Sequence, residues 1–311
     1  MVLGGTGSIG FAYVQELLAN DLPVTALVRN KHKATRLFGS NELLELVEGD
    51  VNDFSLLQKT AKGKRVIFFG INYPYQQWAE KMMPTTDLII KVAHENKATI
   101  LFPGNIYAYG NFTEPIKEDS IPLLTTEKGK LRWRLIHQLE LATQKKDCSV
   151  IVLRLPDFYG PNVTNGLIKP IFGNAAKGKN IEWLIRSDVA HQFVYTADAA
   201  KVFYLLEQES ELPKMATFNF ATITVKSMND MAVQISEVAS NPEKVKIMPK
   251  WLLNIVGIFL PVVRELKENF YQFEDCVSLN DDKIKSMYPE LKITSFKESL
   301  KFTIDWFKKN P

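Results

Sequence analysis

Met1-Val-Leu-Gly-Gly-Thr-Gly-Ser-Ile-Gly10 places Gly4, Gly7 and Gly10 at spacing G-x-x-G-x-x-G, between an apolar run and a helical pattern. Each glycine has a physical task in such a turn. Gly4 lets the chain leave the strand sharply, Gly7 lets backbone approach a pyrophosphate, and Gly10 lets the following helix pack closely on the sheet. Residues 8–20 (SIGFAYVQELLAN) carry Ile9, Tyr13, Leu17 and Leu18 near helical spacing. The amino end of that helix, with its free N–H groups and positive partial charge, would face the phosphates, and Thr6, Ser8 and Ile9 lie on the same turn. The reading is a dinucleotide site. The first strand, residues 1–3, is short against the about five residues usual for a strand.

Working outward, residues 23–28 (PVTALV) read as the second parallel strand, ending at Val28-Arg29-Asn30. NAD-binding versions of this arrangement place an acid near that point to hold the ribose hydroxyls. Here the residues are cationic, so Arg29 and Lys33 are assigned to the extra phosphate of NADP, with NAD second. Residues 43–51 (LLELVEGDV) form a third strand closing on Gly49, Asp50 and Val51, and residues 54–61 a short helix. Residues 64–72 (KRVIFFGIN) have the continuous apolar run of a strand buried on both faces, and its end, Gly70, Ile71 and Asn72, is expected beside the cofactor. A long helix with a break at Pro84 spans residues 75–96, and residues 99–102 make a fifth strand. This alternation predicts an α/β fold, a doubly wound parallel sheet of Rossmann type.

The bulk numbers exclude several classes. At 311 residues, 46% hydrophobic and 23% charged, with a formal net charge of +3, the chain has an ordinary globular composition. Interspersed acids and bases argue against a nucleic-acid partner. Cys148 and Cys276, with His32, His94, His137 and His191 widely separated, make neither a disulfide framework nor a metal site. A reducing, cytoplasmic compartment is expected, and the glycine turn begins too early for a secretory leader to precede it. The longest apolar stretch, residues 251–263 (WLLNIVGIFLPVV), is too short to span a bilayer and reads as a buried or lid helix, with a membrane-surface helix as the alternative.

Five stations in order resemble the extended short-chain dehydrogenase/reductase superfamily, the group of sugar-nucleotide epimerases and dehydratases. They are GGTGSIG at 4–10, GDV at 49–51, YAYG at 107–110, RLPDFYGP at 154–161 and HQFVYTADAAK at 191–201. The resemblance implies a dinucleotide-binding domain over residues 1–161, with return segments at about 190–222. It also implies a small interleaved C-terminal substrate domain over 162–189 and 223–311. Pro156, within the fourth station, is implied beside the nicotinamide. A homodimer through residues 75–96 and 127–146 is implied in the same way.

The family's proton-transfer apparatus is a Ser or Thr after strand five, with a Tyr-x-x-x-Lys on the next helix. Aligned on PGNIYAYG and EKGKLRWR, these positions are Asn105, Lys128 and Arg132, and all three differ from the pattern. Asn105 can donate a hydrogen bond to a substrate oxygen. Lys128, one helical turn from Arg132, would have its proton affinity lowered by that neighbouring charge and could exchange a proton; a pair of ordinary solvated cations is the bland alternative. Tyr107 is a further candidate donor, and Asp157 either a catalytic carboxylate or a turn cap.

Beyond residue 161 the pattern predicts a helix over 163–178, strands at 180–184, 216–221 and 244–248, and a helix over 227–239. Trp183, Trp251, Phe259, Phe270, Tyr271 and Phe273 suit a hydrophobic or aromatic substrate better than a sugar nucleotide, whose diphosphate wants cations that Arg186 and Arg264 could supply. Two readings stand. One is an NADP-dependent oxidoreductase or epimerase-like enzyme acting on a carbonyl or hydroxyl of a small hydrophobic molecule. The other is a non-catalytic NADP(H)-binding sensor.

Overall fold

The computed structural model describes residues 1–145, 147–239, 242 and 244–310. In chain order the elements are β1 (Val2–Leu3), α1 (Ser8–Ala19), β2 (Val24–Val28), α2 (Lys31–Phe38), β3 (Leu44–Glu48), α3 (Phe54–Ala61), β4 (Val66–Phe69), α4 (Trp78–Glu95) and β5 (Thr99–Gly104). Then follow α5 (Glu127–Lys145), β6 (Ser149–Arg154), β7 (Asp157–Tyr159), β8 (Ile181–Leu184), β9 (His191–Tyr195), α6 (Thr196–Gln208) and β10 (Met215–Asn219). The chain ends through β11 (Ile223–Val225), α7 (Met228–Ala239), β12 (Val245–Met248), α8 (Lys250–Phe259), α9 (Pro261–Leu266), α10 (Asp282–Met287) and α11 (Phe296–Lys309).

Two compact units form. The first is Met1–Gly104, Leu131–Arg154 and Ala199–Phe218; the second is Asn105–Lys130, Leu155–Asp198 and the chain from Asn219 onward. Residues 105–130 therefore group with the second unit, although they fall inside the expected first domain.

The first unit holds a seven-stranded sheet in the order β10-β6-β5-β4-β1-β2-β3. Its pairings from β3 through β6 are parallel. The order reverses beside β1, so the carboxyl ends of β1 and β4 form the topological switch point at which such sheets take their ligands. β1 has two residues yet sits centrally, with Val2 and Leu3 fully buried and paired to both β2 and β4. Tyr13 of α1 stacks on Phe68 at 4.5 Å, and Phe68 meets Phe203 of α6 edge-on at 5.1 Å, tying both helices to the sheet.

The second unit contains a three-stranded sheet, β11-β9-β7, and a two-stranded one, β12-β8. Its core stacks Tyr159 on Phe172 at 5.5 Å, and the Tyr159 hydroxyl meets Ser299 Oγ at 2.6 Å.

Three sequence expectations need correction. Pro84 does not break the helix: α4 runs continuously through it. Pro84 lacks the N–H for one backbone bond, but the buried residues Met82, Thr85, Thr86 and Ile89 hold the helix down on both sides. The helix expected over 163–178 reduces to a five-residue π-helical turn, Lys169–Gly173. Asn165 Oδ1 accepts from the N–H groups of Leu167 and Ile168, an alternative to a regular helix start. The apolar stretch 251–263 is not one buried helix: it divides into α8 and α9, and Trp251, Ile258 and Phe259 of α8 are 64%, 70% and 77% exposed. Only Leu253 and Gly257 of α8 turn inward. Of the aromatic residues expected to line a site, Trp183, Phe270 and Phe273 are buried, whereas Trp251 and Phe259 are not. Position 146, the last of the expected dimer helix, lies outside the described residues. Among the described residues no helix is long and apolar enough to cross a membrane.

Burial raises the pKa values of Tyr13, Tyr159 and Tyr195 well above their ordinary value, and pushes Tyr271 up to about 12. The folded state thus keeps protons that the unfolded chain releases near pH about 10. The stability these tyrosines contribute is fully present below that pH and is lost as pH rises through the folded-state values. A spectrophotometric titration at about 295 nm, tyrosinate being the absorbing species, should show only part of the 10 tyrosines ionising below pH about 11. The remainder should titrate together with loss of the far-ultraviolet dichroism. Ionisation of all tyrosines before any unfolding would contradict the packing described.

Candidate functional site

In the first unit the glycine turn is built by backbone contacts that leave no room for side chains. Gly4 has φ +78°, and a Cβ on it would lie 2.4 Å from Gly70 O. A Cβ on Gly10 would lie 2.4 Å from Gly4 O. Gly4 O accepts from the Gly7 N–H at 2.9 Å, and Gly7 O from the Phe11 N–H at 2.7 Å. The amino end of α1 begins at Gly7, which is exposed and offers no side-chain cap, so its first N–H groups point out of an uncapped helix end. Ile9 is buried beneath the turn, while Thr6 and Ser8 are half-buried on it. The structure thus brings Gly4, Gly7, Gly10 and Gly70 together.

Other expected cofactor residues take up positions at the carboxyl ends of the strands. Arg29 and Lys33 are exposed at the end of β2 and in the first turn of α2. Asn30 caps α2, accepting from the Lys33 N–H at 2.7 Å. Sequence reading missed one acid here. Glu48, at the end of β3, accepts from the Lys31 N–H at 2.9 Å. It reaches the β2 turn because Val28 and Glu48 are paired across the sheet, a neighbour that no reading along β2 reveals. Asp50 accepts from the Asn52 backbone and side chain at 2.8 and 2.7 Å, and Val51 is buried beside it. Ile71 is half-buried and Asn72 exposed at the end of β4.

Arg132 of α5 donates to Asn72 Oδ1 at 3.2 Å and lies over the Trp78 ring at 4.1 Å. Its guanidinium is thereby fixed at the end of β4, where stacking on an aromatic face suits a planar cation.

In the second unit the start of α5 meets the loop after β5. A Cβ on Gly129 would lie 2.5 Å from Tyr107 O, so this glycine permits the close approach. Asn105 Oδ1 accepts from the Tyr107 N–H at 3.2 Å, which commits its carbonyl oxygen and orients the remaining amide nitrogen as a donor. The expected setting of Lys128 is corrected. Its side chain is 6% exposed, and Nζ donates to Glu265 O at 2.5 Å and to Glu265 Oε2 at 2.9 Å, with Glu268 Oε1 at 3.8 Å. The Lys128 N–H also donates to Glu268 Oε2 at 3.0 Å. The groups facing this ammonium are the carboxylates of Glu265 and Glu268, and not the neighbouring cation Arg132 that helical spacing suggested. Those partners lie 137 and 140 residues along the chain, beyond the reach of helical spacing.

Asp157 is also more than a turn cap. Its Oδ2 stands 2.9 Å from His191 Nε2, and both residues lie at strand positions of one sheet. Pro156 is buried just before it.

The comparisons agree with this geometry. The model of the NAD dependent epimerase/dehydratase family matches residues 1–221, and the chain belongs to that family. It is 22% identical over 216 residues to the uncharacterized protein YLL056C of Saccharomyces cerevisiae, covering 68% of this chain and 70% of the yeast protein. Among solved structures it resembles the UDP-glucuronic acid 4-epimerase of Bacillus cereus in complex with NAD. That match has a TM-score of 0.79 and 14% identity, covering 99% of this chain and 98% of the other. The dTDP-glucose 4,6-dehydratase of Bacillus anthracis in complex with NAD also matches, with a TM-score of 0.79 and 15% identity over 99% of this chain and 96% of that one. The UDP-glucose 4-epimerase of Thermotoga maritima with UDP-glucose gives 0.77 and 17%, covering 99% of this chain and 98% of the other. At these identities the similarity establishes the fold.

Replacing Lys128 by Met keeps most of the apolar stem but leaves Glu265 and Glu268 without their ammonium. The expected loss of stability is about 2 kcal/mol, below the figure for a fully buried pair because both carboxylates are partly solvated. Urea denaturation measures it. An unchanged midpoint would show that the ion pair does not anchor α5.

Proposed function

We propose that this protein is a nicotinamide-dinucleotide-dependent enzyme of the oxidoreductase and epimerase type, acting on a carbonyl or hydroxyl carbon of a small organic molecule. The observation that carries the proposal is the glycine cradle. Gly4, Gly10 and Gly70 approach so closely that a Cβ on any of them would collide with backbone, at the switch point of the sheet and in front of an uncapped helix. Packing this tight seats the uncapped end of α1 against the strand ends, where a pyrophosphate could lie on its backbone N–H groups. Structural neighbours solved with NAD support the same cofactor class.

When bound, the dinucleotide supplies a hydride acceptor or donor. The chain's own residues do the rest. Ser8 and Ile9 would present N–H groups to the phosphates, and Arg132, fixed on Trp78 and Asn72, would place its charge toward the ribose. Asn105, with its carbonyl oxygen committed to Tyr107, would offer its amide N–H to the substrate oxygen. Lys128 serves in this scheme as the ion-pair anchor of α5 and not as the proton carrier.

The cofactor is proposed to be NADP. Arg29, Lys31 and Lys33 are exposed together at the end of β2, and the nearby acid Glu48 is engaged by the Lys31 N–H. NAD is the alternative, favoured by the neighbours. The engagement of Lys128 favours a second reading as well, a cofactor-binding sensor without turnover. A homodimer and a cytoplasmic location belong to the same proposal, the first through α4 and α5.

Titration calorimetry should find NADPH binding at least about tenfold tighter than NADH, equivalent to about 1.4 kcal/mol, with Arg29→Ala erasing most of the difference. Gly10→Ala should abolish binding of both. Tighter binding of NADH would overturn the NADP assignment, and full binding by Gly10→Ala would overturn the site itself. Cofactor binding without turnover over a broad carbonyl panel would favour the sensor.

A further inference from the structure

Helix α8 carries an apolar stripe that the rest of the described chain leaves uncovered. Trp251, Ile255, Ile258 and Phe259 stand at i, i+4, i+7 and i+8, which puts them on one face of the helix, and they are between 49% and 77% exposed. Leu253 and Gly257 lie on the other side and pack inward. A surface helix ordinarily keeps one apolar stripe for the core and polar residues for water; this one presents a second apolar face outward. Its aromatic side chains stand at the two ends, Trp251 in the first turn and Phe259 at the last residue. The four side chains expose on the order of 500 Å² between them, which is the size of patch that marks a place of contact and not a scatter of single apolar residues.

The charges around the stripe are cations. Residues 244–264 hold Lys244, Lys246, Lys250 and Arg264 and no acid. Lys246 meets Glu182 at 3.3 Å and Lys250 meets Glu274 at 2.5 Å, but both pairs are exposed, so water and salt screen them. After Leu260 the chain folds back: a Cβ on Gly257 would lie 3.3 Å from Arg264 N and 3.0 Å from Lys267 Cε. This approach seats α9 against α8 and sets Arg264 and Lys267 beside it, with Lys267 Nζ 3.5 Å from Asn254 O. Arg264 is exposed. Among the described residues neither Arg264 nor Lys267 pairs with a carboxylate, since the adjoining acids Glu265 and Glu268 are engaged by Lys128.

An apolar face rimmed by cations matches a surface that is apolar within and anionic at its edge, as a bilayer with acidic headgroups is. Tryptophan suits the headgroup level, where one end of the indole is dry and the other wet. A second copy of the chain fits less well. The stripe is smaller than the about 800 Å² per partner that a stable protein interface buries, and a symmetric pairing would bring cations against cations. We propose that α8 is a peripheral membrane-docking helix: Trp251, Ile255, Ile258 and Phe259 enter the headgroup region of an anionic bilayer, and Lys250, Arg264 and Lys267 meet its headgroups. The helix lies along that surface and does not cross it, as its 10 residues require. The inference is independent of the cofactor and of the reaction proposed above.

The test is co-sedimentation of the full chain with vesicles of phosphatidylcholine alone and of phosphatidylcholine with phosphatidylserine. Binding to the mixed vesicles should be at least about tenfold tighter than to the neutral ones, and should weaken as salt shortens the reach of the charges. Ile258→Glu, at a position the core does not use, should weaken binding at least about tenfold, and Arg264→Gln about fivefold. Tryptophan emission of the unaltered chain should move to shorter wavelength when mixed vesicles are added. Trp251→Phe, which keeps a ring, should still bind but show no such shift. No binding to the mixed vesicles, equal binding to neutral ones, or a shift that persists in Trp251→Phe would overturn the proposal. Sedimentation equilibrium covers the other occupant: a dimer that Ile258→Glu splits, together with no vesicle binding by the unaltered chain, would assign the stripe to self-association instead.

Discussion

Close approach of backbone to backbone at the ends of β1 and β4 is the constraint from which the first unit follows. Gly4 turns off β1 at positive φ against the Gly70 carbonyl, and Gly10 seats α1 on the Gly4 carbonyl. Were either position to carry a Cβ, the helix could not start so near the sheet, and its free N–H groups would no longer gather over the switch point. A strand of only two residues tolerates its central place because both residues are wholly buried and bonded on each side. The uncapped helix end at the switch point is therefore a consequence of packing geometry.

Charge placement in the second unit tells a different story. Lys128 and Arg132, which the sequence resemblance would align with the family's Tyr and Lys, are two cations put to separate uses. Lys128 binds carboxylates of Glu265 and Glu268, and Arg132 is spread on Trp78 against Asn72. A helix normally presents residues four apart to a common face, so two like charges there would repel. Each instead has its own compensating partner. Asp157 and His191 add a further pair, the imidazole packed among aromatic rings and the carboxylate partly exposed.

The exposed face of α8 shows how hydrophobic content and burial part company. Trp251, Ile255, Ile258 and Phe259 recur at helical spacing and stand largely in solvent, while Leu253 and Gly257 pack inward. Composition could say that the stretch was apolar; it could not say which side of the helix would be covered.

What the sequence determined by itself was whatever depends on neighbours along the chain. The glycine spacing, the strand and helix alternation through residue 104, and the helix over 228–239 all follow from local sterics and periodicity, and so could be read directly. Tertiary structure decided the contacts that join distant segments. Pro84 survives inside α4 because buried residues on either side hold it. Glu48 reaches the turn after β2 through strand pairing, and Lys128 acquires Glu265 and Glu268 from 137 and 140 residues away. Asp157 and His191, 34 residues apart, become a pair only because β7 and β9 lie side by side. Electrostatic environment is set by proximity in space, and proximity of that kind leaves no periodic trace in the order of the residues.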